Sequence, residues 1–229
     1  MFILNDPPPQ ITPALLDKLR AAEPATIGHF RHVGFVDPAI RALLPGYHRI
    51  AGTAVTVRCY GADTAIVHYA LGKLRPGDVM VVDRAGDMRH AACGGGVAFA
   101  AREAGCVGII IDGAATDVQE LRDYGLPVWA RRLSVVTGKR QFEHGEFCVS
   151  VSCGGVPVEP GDAILADENG VLVMKPHEIA VAVERAVALQ QAEKTTLTRL
   201  SAGEKLPDIN GTNARIAEIA KASAARRCG

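Results

Sequence analysis

The feature that most constrains the fold is a pair of strongly apolar runs separated by a glycine-rich turn and a small-residue helical pattern. Val79–Val82 and Val107–Ile111 are typical of buried strands, and Val97–Ala104 between them is typical of a helix. Strand, turn, helix and strand within about thirty residues predict a βαβ unit. The helix opens on three glycines, Gly94–Gly96. Its first backbone N–H groups are therefore expected to be free to bind an anion.

Carboxylates follow the second strand of this unit. The strand ends in Asp112 and Gly113, and Asp117 comes shortly after them. Open α/β sheets bind their ligands at the carboxyl ends of their strands, so we expect the function here. Because the glycine turn and the Asp112-Gly113 pair are in register with it, Asp117 is predicted to be a metal ligand, since Mg²⁺ is commonly held by one or two carboxylates, water and substrate. The alternative is that Asp117 only caps the helix predicted from Val118.

The glycine turn also partly resembles a dinucleotide-binding fingerprint, because Asp112 follows it at a plausible distance. Two features speak against that interpretation. The loop between the strand and the glycines is about ten residues long instead of a tight turn, and no further glycine stands at the required offset. An anion site of another kind is therefore favoured.

Length and charge exclude several classes of partner. The chain has 229 residues, which suits one large domain or one domain with an appended helical segment. Lys plus Arg equals Asp plus Glu at 25 each, so no general field favours nucleic acid or an anionic membrane. No apolar run approaches the roughly 18 residues that a membrane span requires. We expect neither a nucleic-acid partner nor a membrane partner.

The six cysteines show no metal-binding spacing. Cys59, Cys106 and Cys148 lie within apolar runs and are expected to behave as small core residues. The others are Cys93, Cys153 and Cys228. With no signal peptide recognised, reduced thiols in a cytoplasmic protein are the simplest expectation.

The remaining segments predict the ends of the domain. Residues 1–12 contain three consecutive prolines and are predicted to form an extended, loosely held leader. Phe147–Val151 and Val156–Val158 predict a hairpin-like pair of strands. Pro207–Gly211 is predicted to be a linker before a last helix. We place the domain at residues 1–206 and a C-terminal helical extension at 207–229.

Two longer stretches carry a family resemblance. GDVMVVD (77–83) with CGGGVAFAAREAGCVGIIIDGAATDVQELRDYGLPVWAR (93–131), and GGVPVEPGDAILADENGVLVMKP (154–176), closely resemble one known family. That family contains the regulator of ribonuclease activity A (RraA) and the class II 4-hydroxy-4-methyl-2-oxoglutarate aldolases. The resemblance implies a swivelling-domain-like α/β sandwich with a βαβ core and C-terminal helices. It also implies a homotrimer, or a hexamer built as a trimer of dimers, with sites between subunits.

The same resemblance implies a reaction. The aldolase members bind Mg²⁺ or Mn²⁺ and cleave 4-hydroxy-2-oxo acids to pyruvate and a second oxo acid, and they also decarboxylate oxaloacetate. We therefore expect a divalent-metal-dependent lyase of small 2-oxo acids. The alternative is a non-catalytic regulatory or protein-binding member, like the ribonuclease regulators.

The family motif carries over unevenly. By resemblance, the amides of Gly94, Gly95, Gly96 and Val97 hold the pyruvate carboxylate, and Asp117 holds the metal. An acidic residue that carries a proton in the family is replaced by Gly95, and an arginine that contacts the substrate is replaced by Thr116. Loss of a proton-transfer partner typically costs about 10²–10⁴ in rate, and loss of a charge-stabilising contact about 10²–10³.

Other residues are candidates for the missing groups. Arg89 and His90 precede the glycine turn and either supply the positive charge that Thr116 lacks or lie on a solvated loop. Asp83 and Asp87 are candidates for the missing acid. By resemblance, Glu193 reaches a neighbouring subunit's site, and otherwise it is a solvated helix residue. The predicted catalytic set is therefore Asp117, Arg89, His90 and Glu193, and the predicted substrate-binding set is Gly94–Val97 with Thr116.

Overall fold

The computed structural model describes residues 1–46 and 49–227, with side chains as far as residue 223. Cys228 lies outside the described residues. The strands, in chain order, are β1 (Phe2–Leu4), β2 (Arg41–Ala42), β3 (Ile50–Arg58), β4 (Asp78–Asp83), β5 (Ala91–Cys93), β6 (Gly108–Ala115), β7 (Val128–Leu133), β8 (Gly145–Phe147), β9 (Val151–Cys153), β10 (Val156–Val158), β11 (Ala163–Asp167) and β12 (Gly170–Met174). The α-helices are α1 (Pro13–Ala21), α2 (Pro24–Gly28), α3 (Ala65–Leu71), α4 (Gly95–Glu103), α5 (Val118–Tyr124), α6 (Ile179–Ser201), α7 (Leu206–Ile209) and α8 (Thr212–Arg227), with a 3₁₀ turn at Pro176–Glu178.

The centre of the fold is the parallel sheet β3–β4–β6–β7. Strand β4 and strand β6 are adjacent and parallel, and α4 connects them, so the predicted βαβ unit is confirmed. The short strand β5 lies in the connection and pairs with the end of β6. Strands β8 and β11 add to β3 in the antiparallel sense. The expected α/β sandwich with C-terminal helices is confirmed.

Apolar side chains cover both faces of this sheet. Because successive residues of a strand point to opposite faces, Met80 and Val82 pack on the face of α3, α4 and α5, whereas Val79 and Val81 pack on the other face. Continuous apolar strands of this kind are typical of parallel sheets buried on both sides. Cys59, Cys106 and Cys148 are buried, as the sequence predicts.

Three predictions about the periphery are wrong. Residues 2–4 are not loosely held, because β1 pairs in parallel with β8. Phe147 belongs to β8, so the hairpin around Gly154 and Gly155 is formed by β9 and β10 alone. The predicted linker at Pro207–Gly211 contains most of helix α7. In the first two cases a partner distant in sequence decides the structure.

The chain forms two compact units, residues 1–184 and residues 185–229. The first contains the sheet and α1 to α5, and the second contains most of α6 with α7 and α8. The predicted boundary at residue 206 falls within the second unit and stays a prediction.

Within the described residues, no helix combines the length and apolar character needed to cross a membrane.

Candidate active site

A glycine turn lies at the carboxyl end of the central strands. Strand β5 runs beside the last residues of β6, and the Thr116 N–H donates to the Cys93 carbonyl at 2.9 Å. The chain then passes through Gly94, whose extended backbone caps α4 without any side chain. The first N–H groups of α4 therefore have no partner within their own helix. Their partial positive charge faces the loop that follows β6.

Asp117 lies against this turn. Its Oδ2 accepts a hydrogen bond from the Gly95 N–H at 3.0 Å, and the Thr116 hydroxyl donates to its Oδ1 at 3.2 Å. Asp117 stands at the N-cap position of α5, but its side chain makes no capping hydrogen bond there. The alternative that Asp117 serves only as a helix cap is therefore not supported. The carboxylate is directed at the N-terminus of α4 instead.

The backbone of Asp117 is left-handed, with φ 58° and ψ 44°. Residues other than glycine adopt this region at a cost, which Asp and Asn bear best. Strain of this type concentrates at functional sites, where the surrounding structure enforces it. Here the strained residue is also the one that contacts the glycine turn.

A second carboxylate, which sequence reasoning missed, lies beside Asp117. A Cβ atom built on Gly95 would lie 1.5 Å from Oε2 of Glu120, and a Cβ on Gly94 would lie 2.3 Å from Oδ2 of Asp117. Each glycine thus leaves the space that one carboxylate occupies. Glu120 stands where an acidic side chain at position 95 would otherwise reach. The available signal was its position in the first turn of α5, three residues after Asp117.

Both carboxylates are exposed, and neither is joined to a cationic side chain by an ion pair among the described residues. Two uncompensated carboxylates close together repel each other and favour a bound cation. The described residues hold no group of three or more His, Cys, Asp or Glu side chains arranged for a metal. The donor set nevertheless fits Mg²⁺ or Mn²⁺, because such ions are commonly held by one or two carboxylates together with water and substrate oxygens.

Arg89 and His90 precede β5 and are held by the loop before it. His90 Nδ1 lies 2.7 Å from Oδ2 of Asp87, and the Ser134 hydroxyl donates to the Arg89 carbonyl at 2.5 Å. Among the described residues, neither side chain makes a hydrogen bond or ion pair with Asp117 or Glu120. Their catalytic roles stay predictions.

Asp87 is committed to this loop. Partial burial opposes its ionisation, but the hydrogen bonds from the His90 ring and from the His90 and Arg89 amides outweigh it and lower the pKa of Asp87 to about 2. The carboxylate is also an ion-pair partner of the buried Arg84, at 3.4 Å. The Asp87 carboxylate therefore already has its partners within the loop.

On the opposite face of the sheet, a row of ion pairs crosses the ends of β3, β4, β6 and β7. Arg58 binds Asp83 at 3.0 Å, and Arg131 binds both Asp112 and, at 2.8 Å, Asp37. Backbone amides of the β9–β10 hairpin complete the row, since the Ser152 N–H donates to Asp83 and the Gly154 N–H to Asp112. Asp83 is thus already paired with a cation.

Two further residues bear on the chemistry of the site, Glu193 from the predicted catalytic set and Cys93 beside the glycine turn. Glu193 lies exposed on α6, in the second compact unit, and its role stays a prediction. Cys93 immediately precedes the glycine turn, but burial raises the pKa of its thiol to about 12. A neutral buried thiol is not a nucleophile at physiological pH, so the chemistry of the turn rests on carboxylates.

Comparison with known proteins places this geometry in a family. The family model described as "RraA-like: Aldolase/RraA" matches residues 12–173. A Thermus thermophilus 4-hydroxy-4-methyl-2-oxoglutarate aldolase is 36% identical over 138 residues, which are 60% of this chain and 82% of that protein. A Halalkalibacterium halodurans protein named "Putative 4-hydroxy-4-methyl-2-oxoglutarate aldolase" is 35% identical over 126 residues, or 55% of this chain, and the chain spans 60% of its length.

Solved structures show the same fold. An uncharacterized Pseudomonas syringae protein has a TM-score of 0.76 at 25% identity, covering 90% of this chain and 98% of that one. A Thermus thermophilus structure described as the RNA-processing inhibitor RraA has a TM-score of 0.56 at 31% identity, covering 61% of this chain and 84% of that one. The region that the family model matches, residues 12–173, includes the glycine turn, Asp117 and Glu120.

Proposed function

The chain belongs to the RraA-like family, and from that membership we propose that it is a divalent-metal-dependent lyase of small 2-oxo acids. The proposed reactions are retro-aldol cleavage of a 4-hydroxy-2-oxo acid to pyruvate and decarboxylation of oxaloacetate. Relatives named as 4-hydroxy-4-methyl-2-oxoglutarate aldolases support the class of reaction.

One observation carries the proposal. The Asp117 carboxylate accepts a hydrogen bond from the Gly95 N–H at 3.0 Å, instead of capping its own helix. This contact brings a metal-binding type of oxygen to the end of a helix that favours anions. A small acid bound to the helix and a cation bound to the carboxylate would therefore be neighbours.

The roles of the remaining residues follow from which groups are free. Because Asp117 occupies the Gly95 N–H, the amides of Gly96 and Val97 are the ones left for the substrate carboxylate. Asp117 and Glu120 would hold the cation, through oxygens and ordered water. When bound, Mg²⁺ or Mn²⁺ supplies a Lewis acid for the oxo group of the substrate.

Glu120 takes the part of the acid that position 95 lacks. In oxaloacetate decarboxylation the bond to the terminal carboxylate breaks, carbon dioxide leaves, and the electron pair stays on the pyruvate enolate. The enolate is then protonated at its terminal carbon by a water molecule, and we assign the positioning of that water to Glu120, which lies beside the turn. Thr116 offers only a hydroxyl group, so this site lacks the fixed positive charge of the arginine that the family motif has at this position.

The sites are proposed to be completed by a second subunit of a homotrimer or hexamer. Glu193 is the residue proposed to reach across, and Arg89 and His90 are proposed to add positive charge near the substrate. These roles rest on the family resemblance.

The direct test is pyruvate release from oxaloacetate with and without Mg²⁺ or Mn²⁺. We expect metal-dependent turnover in the natural chain, a fall to background in Asp117→Asn, and a partial loss in Glu120→Gln. The control is Arg140→Gln, at an exposed residue in the connection between β7 and β8. Metal-independent release, or full activity in Asp117→Asn, would refute the proposal.

A second candidate is a non-catalytic regulator, favoured by the likeness to the Thermus RNA-processing inhibitor. Under this hypothesis the outer surface of the protein binds a ribonuclease and the carboxylates bind no metal. Calorimetric titration with Mn²⁺, run beside inhibition of a purified ribonuclease, separates the two candidates.

A further inference from the structure

One edge of the central sheet is an unprotected apolar strand. In the sheet order β1–β8–β3–β4–β6–β7–β2, strand β1 is the outermost member, so no strand within the described residues pairs with its outer side. Such edges invite pairing with another chain, and natural proteins block them with charged residues, prolines or bulges. Strand β1 has none of these, since its three residues are phenylalanine, isoleucine and leucine in unbroken register with β8.

The backbone of β1 leaves a defined set of hydrogen-bonding groups unpaired. The Asn5 N–H, just after the strand, donates to the Phe147 carbonyl of β8 at 3.2 Å. Along a strand, the N–H and C=O groups of successive residues point alternately to its two sides. The groups of Ile3, two residues before Asn5, therefore face β8, and those of Phe2 and Leu4 face outward. The edge thus presents two free donors and two free acceptors.

The side chains of β1 are bare on both faces of the sheet. Phe2, Ile3 and Leu4 are 38%, 39% and 50% exposed. Because successive side chains of a strand alternate, Phe2 and Leu4 lie on one face and Ile3 lies on the other. Apolar residues scattered singly over a surface need no explanation, but three in succession on an unpaired edge are typical of a contact with another chain.

This arrangement of groups is complementary to itself. When a second copy of β1 lies antiparallel beside the first, with the two-fold axis at Ile3, Phe2 of each copy lies opposite Leu4 of the other. Each Phe2–Leu4 pair exchanges two N–H···O=C bonds, so every outward donor and acceptor of both copies is satisfied. The two Ile3 residues form the pair without hydrogen bonds between them, and apolar cross-strand contacts form on both faces. One patch thus serves both copies, as a two-fold contact requires.

We infer that β1 is an interaction surface for a second copy of this chain, and that it joins two central sheets edge to edge through antiparallel β1 strands. A second copy is favoured over an unrelated segment because it presents the same donors and acceptors at the same spacing, with apolar side chains on both faces. The contact joins subunits in pairs, so the assembly has an even number of them. Strands β8, β3 and β4 separate β1 from β6 and the glycine turn, so the inference does not depend on the proposed lyase activity.

Disulfide cross-linking tests the register of this contact. Residue 3 lies opposite its own copy, close enough for a disulfide, whereas residue 2 lies opposite residue 4. The five described cysteines are buried, and Cys228→Ser in all variants removes the sixth. With oxidised glutathione as the oxidant, we expect Ile3→Cys to form a covalent dimer and the matched control, Phe2→Cys, to remain unlinked on denaturing gels. Absence of the Ile3→Cys dimer, or equal linking in the control, overturns the inference.

Sedimentation velocity tests the association itself. We expect an even number of subunits in the natural chain and half that number in Leu4→Pro, because proline removes an outward N–H and leaves the pairing with β8 intact. Leu4→Lys should have the same effect, because it places a charge on the edge. The control is Val33→Lys, at a residue 66% exposed between α2 and β2, and its mass should be unchanged. An odd number of subunits in the natural chain, a monomer included, overturns the inference, as does full mass in both Leu4 variants.

Discussion

The two faces of the central sheet carry carboxylates of opposite kinds at the same end of the strands. On one face, Asp83 and Asp112 each have an arginine and a backbone amide as partners. On the other face, Asp117 and Glu120 have no cationic partner among the described residues. The carboxylates of the first face hold the β9–β10 hairpin onto the sheet, and their charge is already balanced. The carboxylates of the second face remain available to an added cation.

The comparison shows why the position of a carboxylate in the fold does not by itself give its function. Asp83 ends β4, and Asp112 lies in the second half of β6. Asp117 and Glu120 follow β6, so all four residues lie toward the carboxyl ends of the strands, where ligand sites are expected. What separates them is whether the local charge is already balanced. Substitutions that change charge while keeping shape should therefore affect stability on one face and ligand binding on the other.

The largest expected effect comes from Asp112→Asn. It leaves the Arg131 guanidinium with one acidic partner instead of two, so we expect the free energy of unfolding to fall by about 3 kcal/mol. Urea denaturation followed by circular dichroism measures this. Asp117→Asn is the matched control, and its unfolding free energy should change by less than about 0.5 kcal/mol. Equal losses in the two variants would show that the carboxylates on the two faces do not differ in their contribution to stability.

The next effect concerns the positive charge that is missing beside Asp117 and Glu120. Thr116→Arg places a guanidinium beside Asp117, where charge develops on the substrate oxygen, so metal-dependent oxaloacetate decarboxylation should rise about 10- to 100-fold. Initial rates at saturating Mn²⁺ measure this. Thr116→Gln, which has no charge, serves as the control and should not reproduce the gain. A fall in rate with Thr116→Arg would mean that the new arginine forms ion pairs with Asp117 and Glu120. These carboxylates would then be balanced by a cation, as those on the other face are.

A smaller effect tests whether Gly95 is reserved for Glu120. Gly95→Ala forces the Glu120 side chain to move, so it should destabilise the natural chain by about 1–2 kcal/mol. In a Glu120→Gly background the same change should cost nothing, because the obstructing atoms are gone. Thermal denaturation of the four proteins in the cycle gives the coupling energy. Additive effects would show that the two residues do not share this space.

The smallest effect concerns Asp87, a third carboxylate that is already partnered. Its pKa is lowered to about 2, so it stabilises the folded state above its ordinary pKa near 4, and this contribution is lost as the pH falls toward 2. Asp87→Asn should therefore lose about 1 kcal/mol at pH 6. Denaturant titrations from pH 6 to pH 3 should show the difference shrinking below pH 4. A difference that grows on acidification would contradict this assignment.

Local sequence patterns predicted the elements whose partners are close in the chain. The βαβ unit and the helix that begins at Val118 are confirmed because apolar periodicity and turn residues determine them. The leader at residues 1–12 was misjudged because β1 depends on β8, which lies at Gly145–Phe147. Such pairing leaves no local signal in a short segment.

The site was predictable in part for the same reason. Asp117 and the glycine turn stood out as residue types in a recognisable order, and the structure brings them together. Glu120 did not stand out, because it is an ordinary helix-forming residue in the first turn of α5. The Glu120 side chain can lie there only because Gly95 has no Cβ atom. That relation between two residues can be recognised only in the three-dimensional structure.

The left-handed backbone of Asp117 has a consequence for how such a protein changes over time. Asparagine and glycine suit that conformation as well as aspartate does, so either replacement would remove the proposed cation ligand while leaving the architecture almost untouched. One codon change would therefore be enough to convert the proposed lyase into an intact protein without that activity. Descendants silenced in this way would keep their surfaces and remain free to acquire new partners.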